Sequence, residues 1–165
     1  MRIWYTLFDK NILEEKIKEL KIMNNQISLG VRAHDFGKGD VNSLAKRISE
    51  KGFSCIQLAL SKAIEGINGD LGTMSPGLGK YMRQSLQKHN ISVAVLGCYI
   101  NPIHPDEVMR KKSIDIFKEH IRFARDLGCS IIGTETGSMN ADFSYHPDTH
   151  SEKGFQSLLK SVAEL

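Results

Sequence analysis

One pattern repeats along this chain and restricts its fold more than any single residue does. A short apolar run is followed by a loop holding Gly or Pro, and then by a segment whose apolar residues recur at helical spacing. The runs begin near Ile27, Phe53, Ile91 and Ser130. Strands that alternate with helices in this way pair in parallel, because each helix carries the chain back across the sheet before the next strand starts. The expected class is α/β, with four βα units present.

Each unit carries its own punctuation. The first run, 27–33, ends in His34-Asp35-Phe36-Gly37-Lys38-Gly39. Asp40 then stands where it can cap a helix in which Val41, Leu44, Ala45 and Ile48 share a face and Gly52 marks the end. The second run, 53–60, leads through a glycine-rich connection to Ser75-Pro76, an N-cap with a proline in the first turn. Leu78, Tyr81, Met82, Ser85 and Leu86 step round the helix that follows. The third run, 91–100, is nearly continuous in apolar residues, as in a strand buried on both sides. Asn101-Pro102-Ile103-His104-Pro105 ends it, and Ile114, Phe117, Ile121, Ala124 and Leu127 form the core stripe of a helix stopped by Gly128. A fourth strand over 130–134 is followed by a helix with Phe155, Leu158, Leu159 and Val162, which reaches Leu165 without a closing cap.

Four such units are half of a TIM-type barrel, whose eight units take about 250 residues. The expectation is thus an N-terminal half-barrel. A doubly wound open sheet is the competing architecture, but the loop after strand one lacks the glycine-rich phosphate turn of that fold. Residues 26–165 are assigned to the partial barrel and 1–25 to an N-terminal extension, helical by the spacing of Leu13, Ile17 and Leu20. Met23 as the natural start is the other reading of that segment.

Composition removes several classes of function. A hydrophobic share of 41% with 25% charged residues suits a globular chain with one core. The net charge of +3 arises from 22 basic and 19 acidic residues scattered along helices, which gives little support to nucleic-acid binding. Cys55, Cys98 and Cys129 are the only cysteines and form no C-x-x-C pair, so neither a disulfide framework nor a zinc ribbon is indicated, and a reducing, cytoplasmic setting fits. Asp9-Lys10 interrupts the apolar opening before a signal peptide could form, and no run approaches the ~20 apolar residues of a membrane span.

In parallel α/β folds, ligands meet the C-terminal ends of the strands. His34 and Asp35 stand at the first such end, Gln57 and then Ser61-Lys62 at the second, and Cys98, Tyr99 and Asn101 at the third, with His104 in its loop. Glu135 stands at the fourth, inside Gly133-Thr134-Glu135-Thr136-Gly137-Ser138, followed by Asp142, Tyr145, His146, Asp148 and His150. Glu135 suits a general base, a metal ligand or an acceptor for a sugar hydroxyl. The structural alternative is a carboxylate bonded to neighbouring amides or to Arg32. His34 would hold a substrate hydroxyl with Asp35 setting its tautomer, unless Asp35 only shapes a turn. Pro147 argues against a helical metal pair of His146 and His150, Cys98 lacks an activating base, and Gly77-Leu78-Gly79-Lys80-Tyr81 departs from a phosphate loop at both ends.

A succession of short segments resembles the xylose isomerase-like barrel superfamily, which includes sugar phosphate isomerases and epimerases and the endonuclease IV type of DNA-repair enzyme (AP endonuclease family 2). These are Cys98-Tyr99-Ile100-Asn101-Pro102, Pro105-Asp106-Glu107, Lys112-Ser113-Ile114-Asp115, Ala124-Arg125-Asp126-Leu127-Gly128 and 133–138. The segment Ser28-Leu29-Gly30-Val31-Arg32-Ala33-His34-Asp35-Phe36 is similar to the first strand of the sugar isomerase branch. Where the endonuclease branch has zinc-binding histidines, this chain has Leu96 and Glu135.

The resemblance implies a sugar or sugar phosphate isomerase or epimerase, which moves a proton next to a carbonyl through an enediolate. It also implies a divalent metal (Mn, Mg, Co or Zn) whose ligands come from later strands, outside this segment, so that the segment alone is expected to be inactive. The substrate contacts implied are His34, Gln57, Tyr99 and Glu135, with Glu135 also the catalytic candidate. Expected partners are a small sugar and further copies of the chain, with neither membrane nor nucleic acid. The alternatives are a non-catalytic sugar-phosphate-binding half-barrel and an endonuclease-like repair protein.

Overall fold

In the computed structural model, which describes residues 3–5 and 28–165, the strands follow one another across a single parallel sheet in chain order. They are β1 (Ile3–Tyr5), β2 (Leu29–Arg32), β3 (Cys55–Ala59), β4 (Ser92–Gly97) and β5 (Ile132–Gly133). Each pairs in parallel with the next. A doubly wound sheet reverses its order at a switch point, whereas a barrel advances one strand at a time. The unbroken order therefore decides for the partial barrel. The helices are α1 (Val41–Glu50), the single turn α2 (Leu60–Ala63), α3 (Pro76–Gln87), α4 (Glu107–Leu127) and α5 (Glu152–Ala163). No helix among the described residues is long and apolar enough to cross a membrane.

β1 falls within the stretch assigned to a helical extension and aligns Ile3, Trp4 and Tyr5 with Leu29, Gly30 and Val31 of β2. Leu13, Ile17 and Leu20, on which the helix was expected, lie outside the described residues, as does Met23.

Local capping sets the helix ends. Asp40 Oδ1 accepts from the N–H groups of Asn42 and Ser43, both at 3.0 Å, and Ser75 Oγ accepts from Leu78 at 3.2 Å. Asp106 does the same for Val108 and Met109 at the start of α4, and Gly128 ends that helix in the left-handed region at φ 79°. One core joins the outer face of the sheet (Val31, Ile56, Leu58, Leu96) to Leu44, Ile48, Met82, Leu86, Phe123 and Leu127 of the helices. A bulge in β4 keeps this face apolar: Ile56 opposes Val93 but Gln57 opposes Val95, so Ala94 is the extra residue. Val93 and Leu96, three positions apart, thereby both reach the helices, while Val95 turns inward.

The third predicted strand is buried over most of its length, with Val95 half-buried on the inner face, while Tyr99 just past its end and Ile131 before β5 are exposed. Three helices also turn differently from their predicted stripes. α3 buries Gly79 and leaves Tyr81 outside, because a Cβ at Gly79 would stand 2.8 Å from Asp126 Cβ and 3.3 Å from the α4 backbone. The glycine serves a close helix crossing. α4 buries His120 and Phe123 in place of Ile121. α5 exposes Phe155, Leu159 and Val162 and buries Gly154 and Ser161.

The reason for the α5 orientation is polar. Arg110, with 3% of its surface exposed, donates to Ser161 Oγ at 2.8 Å, to Glu164 at 2.6 Å and to both Glu107 oxygens at 2.7 Å. Ser161 Oγ in turn donates to the Pro102 carbonyl at 2.5 Å. A buried guanidinium needs all of these acceptors, so α5 docks by its serine and glutamate.

Two outcomes follow. Gly79→Ala gains ~1 kcal/mol of helix propensity but is overpacked against backbone, and a net loss of about 1–2 kcal/mol is expected in urea denaturation. Hydrogen bonds from Arg110 and, second to it, Lys160 hold Glu107 at about 2, and Arg110 holds Glu164 below the ordinary carboxylate value. Their contribution is fully present above the unfolded carboxylate pKa of ~4.3 and drains as pH falls through the folded values. Thermal melts of the wild type should therefore fall more steeply than those of Arg110→Met between about pH 4.5 and about pH 2; parallel curves would show that these pairs are not the source.

Candidate functional site

Strand register gathers polar groups on the inner face at the C-terminal ends. Arg32 pairs with Gln57 and Gln57 with Val95, so the three share one row across β2, β3 and β4. Gln57 is 8% exposed, and its Nε2 donates to the Tyr99 hydroxyl at 2.5 Å. Tyr99, 41% exposed, lies two residues past the end of β4, and the Lys62 ammonium sits 4.6 Å from its ring centroid. Gly97 makes this arrangement sterically possible, since a Cβ there would stand 2.7 Å from Gln57 Nε2 and 3.1 Å from Tyr99 Cε2. Two expected contacts, Gln57 and Tyr99, are thus one hydrogen-bonded unit. Lys62 belongs with them; its place just past the second strand was the only sign of this in the sequence.

His34 lies in the 3₁₀ turn Ala33–Phe36 directly after β2. Burial lowers its pKa most, with Arg32 and Lys62 lowering it further against Asp35, so the ring is neutral near pH 7. Its Nδ1 is buried with no hydrogen-bond partner among the described residues. Asp35 does not set its tautomer, in contrast to the expectation. The Asp35 carboxylate instead accepts from Arg32 Nε at 3.1 Å and Nη2 at 3.0 Å. Arg32, so engaged, is also not the partner of Glu135.

Glu135 is exposed and has no bonded partner among the described residues. Gly97 pairs with Gly133, so Tyr99 and Glu135 each stand two residues beyond a paired position on adjoining strand ends. Asn101 anchors the loop that carries Glu135: its Nδ2 donates to the Ser138 carbonyl at 2.8 Å, and its Oδ1 accepts from Ser138 N–H at 3.0 Å. Gly137, at φ 86°, passes so close to Asn101 and Pro102 that no Cβ would fit.

Three of the remaining loop candidates serve local turns. His104 Nδ1 accepts from Asp106 N–H at 3.0 Å, His146 Nδ1 from Asp148 at 3.1 Å and Asp142 from Ser144 at 2.9 Å. Burial pushes the Cys98 thiol up to about 12, which leaves it protonated and unreactive. Among the described residues, no group of three or more His, Cys, Asp or Glu side chains could hold a metal ion. By themselves these residues do not form a divalent-cation centre.

The architecture can be compared with known proteins. Comparison with curated proteins gives no match. A solved structure of D-psicose 3-epimerase in the presence of D-fructose is similar, with a TM-score of 0.60 and 14% identity. The similarity covers 81% of this chain and 45% of that one, so the chain spans less than half the length of that relative. At this identity the likeness is one of fold. The family model for the xylose isomerase-like TIM barrel matches residues 8–165, nearly the whole sequence and all of the described sheet from β2 to β5. Sequential parallel strands, polar groups at their C-terminal ends and this match agree: the chain belongs to the xylose isomerase-like TIM barrel family.

Proposed function

We propose that this chain forms the sugar-binding part of a sugar or sugar phosphate isomerase or epimerase. The observation that carries the reading is the Gln57–Tyr99 pair, fixed at the open end of the inner face with Lys62 against the ring. A hydroxyl whose lone pair already accepts from Gln57 has its own O–H free to donate to a sugar oxygen, and the ammonium suits an anionic or carbonyl oxygen. His34 Nδ1, buried and unpartnered, offers a further contact to a substrate hydroxyl.

The reaction assigned is proton transfer next to the carbonyl. The proton leaves the carbon, its bonding pair moves toward the carbonyl oxygen to give an enediolate, and a proton returns to carbon. Glu135, exposed and unpaired on the strand end adjoining Tyr99, is assigned as the group that carries the proton. A divalent metal (Mn, Mg, Co or Zn), with ligands outside the described residues, would supply polarisation of the substrate oxygens. The relative's titled ligand, D-fructose, is the natural first probe.

Calorimetric titration with D-fructose should show binding that weakens about tenfold, or ~1.4 kcal/mol, in Tyr99→Phe and in Gln57→Leu. Unchanged affinity in both variants would sink the reading. In a protein that also supplies the metal ligands, Glu135→Gln should keep binding and lose wash-in of solvent deuterium at the sugar carbon; wash-in undiminished in that variant would remove Glu135 from the chemistry.

Self-association is a second expectation. The exposed Phe155, Leu159 and Val162 of α5 form an apolar face that water disfavours. Light scattering at micromolar concentration should report a homo-oligomer that Leu159→Glu dissociates, and a monodisperse wild-type monomer would count against it.

A further inference from the structure

The connection over residues 64–75, between α2 and α3, is tied down more firmly than the joining of two helices requires. It turns at Gly66, Gly69 and Gly72, with φ of 74°, 75° and 79°. Its start is held by the loop after β2: Gly39 N–H donates to the Ala63 carbonyl at 3.1 Å, and Glu65 N–H donates to the Gly39 carbonyl at 3.0 Å. Ser75, the cap of α3, fixes its end. Between these points Glu119 reaches across from α4, its carboxylate accepting from Gly72 N–H at 2.8 Å and from Met74 N–H at 3.1 Å.

These ties present Asn68, Gly69 and Asp70 to the strand ends. The three line a cavity of about 200 Å³ whose other walls include Lys62, Gly97 and Tyr99. The cavity is thus a recess of the sugar-binding face itself. Gly69 rests against the buried His120 ring, where a Cβ would stand in ordinary contact, 3.8 Å from Cε1 and Nε2. The segment therefore has a floor beneath it as well as anchors at its ends.

Asp70 is the member of this segment with chemistry to offer. Asn68 braces it from both sides, donating from Nδ2 to Asp70 Oδ2 at 2.7 Å and accepting at Oδ1 from Asp70 N–H at 3.1 Å. Thr73 Oγ1 donates to the Asp70 carbonyl at 2.6 Å. The carboxylate is thereby aimed while its second oxygen, Oδ1, bonds nothing among the described residues. An ionised carboxylate only accepts, and its bonds from hydroxyls are stronger than those of a neutral acceptor. Lys62 in the same lining only donates. A recess with an acceptor and a donor suits sugar hydroxyls, which supply both partners.

Resting on the sugar-binding reading, we infer that residues 65–75 are the outer wall of that same site: Asp70 accepts from a sugar hydroxyl in the recess, and Glu119 is the positioning residue that holds the wall in place. Glu119 acts through the backbone of Gly72 and Met74 and itself touches no sugar.

The test titrates the full chain with D-fructose. Asp70→Ala, an exposed change, should weaken binding about tenfold. Glu119→Ala should weaken it too, and Glu119→Gln, which keeps one acceptor oxygen, should do so less. Adding Asp70→Ala to Glu119→Ala should cost less than Asp70→Ala costs alone, because the wall is already loose; costs that simply add would overturn the role of Glu119. In the ¹⁵N-labelled wild type, D-fructose should shift the Gly69 and Asp70 amides saturably, a readout that depends on no variant. Unmoved amides, or undiminished affinity in Asp70→Ala while Gln57→Leu still weakens binding, would overturn the inference and leave the sugar-binding face standing. No D-fructose binding at tens of millimolar would overturn both.

Discussion

Burial of the sheet's outer face under α1, α3 and α4 is the contact on which everything else in this molecule depends. Val31, Ile56, Leu58 and Leu96 present one apolar surface only because each strand advances in register with its neighbour and β4 inserts Ala94 at the right place. Side chains alternate across a strand, so committing these residues to the helices commits Gln57, Val95 and Tyr99 to the inside. The polar strand ends are thus a geometric consequence of the core. A one-residue slip in β4 would turn Val95 toward the helices and Leu96 toward the open face.

Close approach is the second theme, and glycine serves it at two separate points. Gly97 leaves room for the Gln57–Tyr99 hydrogen bond, and Gly79 lets α3 cross α4 next to Asp126. In each case the absent Cβ is what allows two neighbours to meet. One shapes the inner surface of the sheet, the other the helical shell behind it.

Much of the fold was legible because its signals are local. Asp40, Ser75-Pro76 and Gly128 announce helix ends through bonds to residues only a few positions away, and the repeating apolar runs place β2 to β5. What escaped depends on distant partners. The burial of Ser161 follows from Arg110, fifty-one positions earlier, and no periodicity in α5 reveals that a guanidinium awaits it. The inward turn of His120 and the outward turn of Ile121 are likewise set by the connection packed over α4. At the strand ends, Gln57, Tyr99, His34 and Glu135 could be nominated from position alone. That Gln57 and Tyr99 bond to each other, and that Asp35 belongs to Arg32, required the register.

Asn101 carries an implication about motion. By clasping Ser138 from the loop after β4, it gives the backbone near Tyr99 and the backbone near Glu135 a shared footing. The two loops are thus tied to each other by a side chain rather than by the sheet, so that displacing either one from its place strains the same pair of hydrogen bonds.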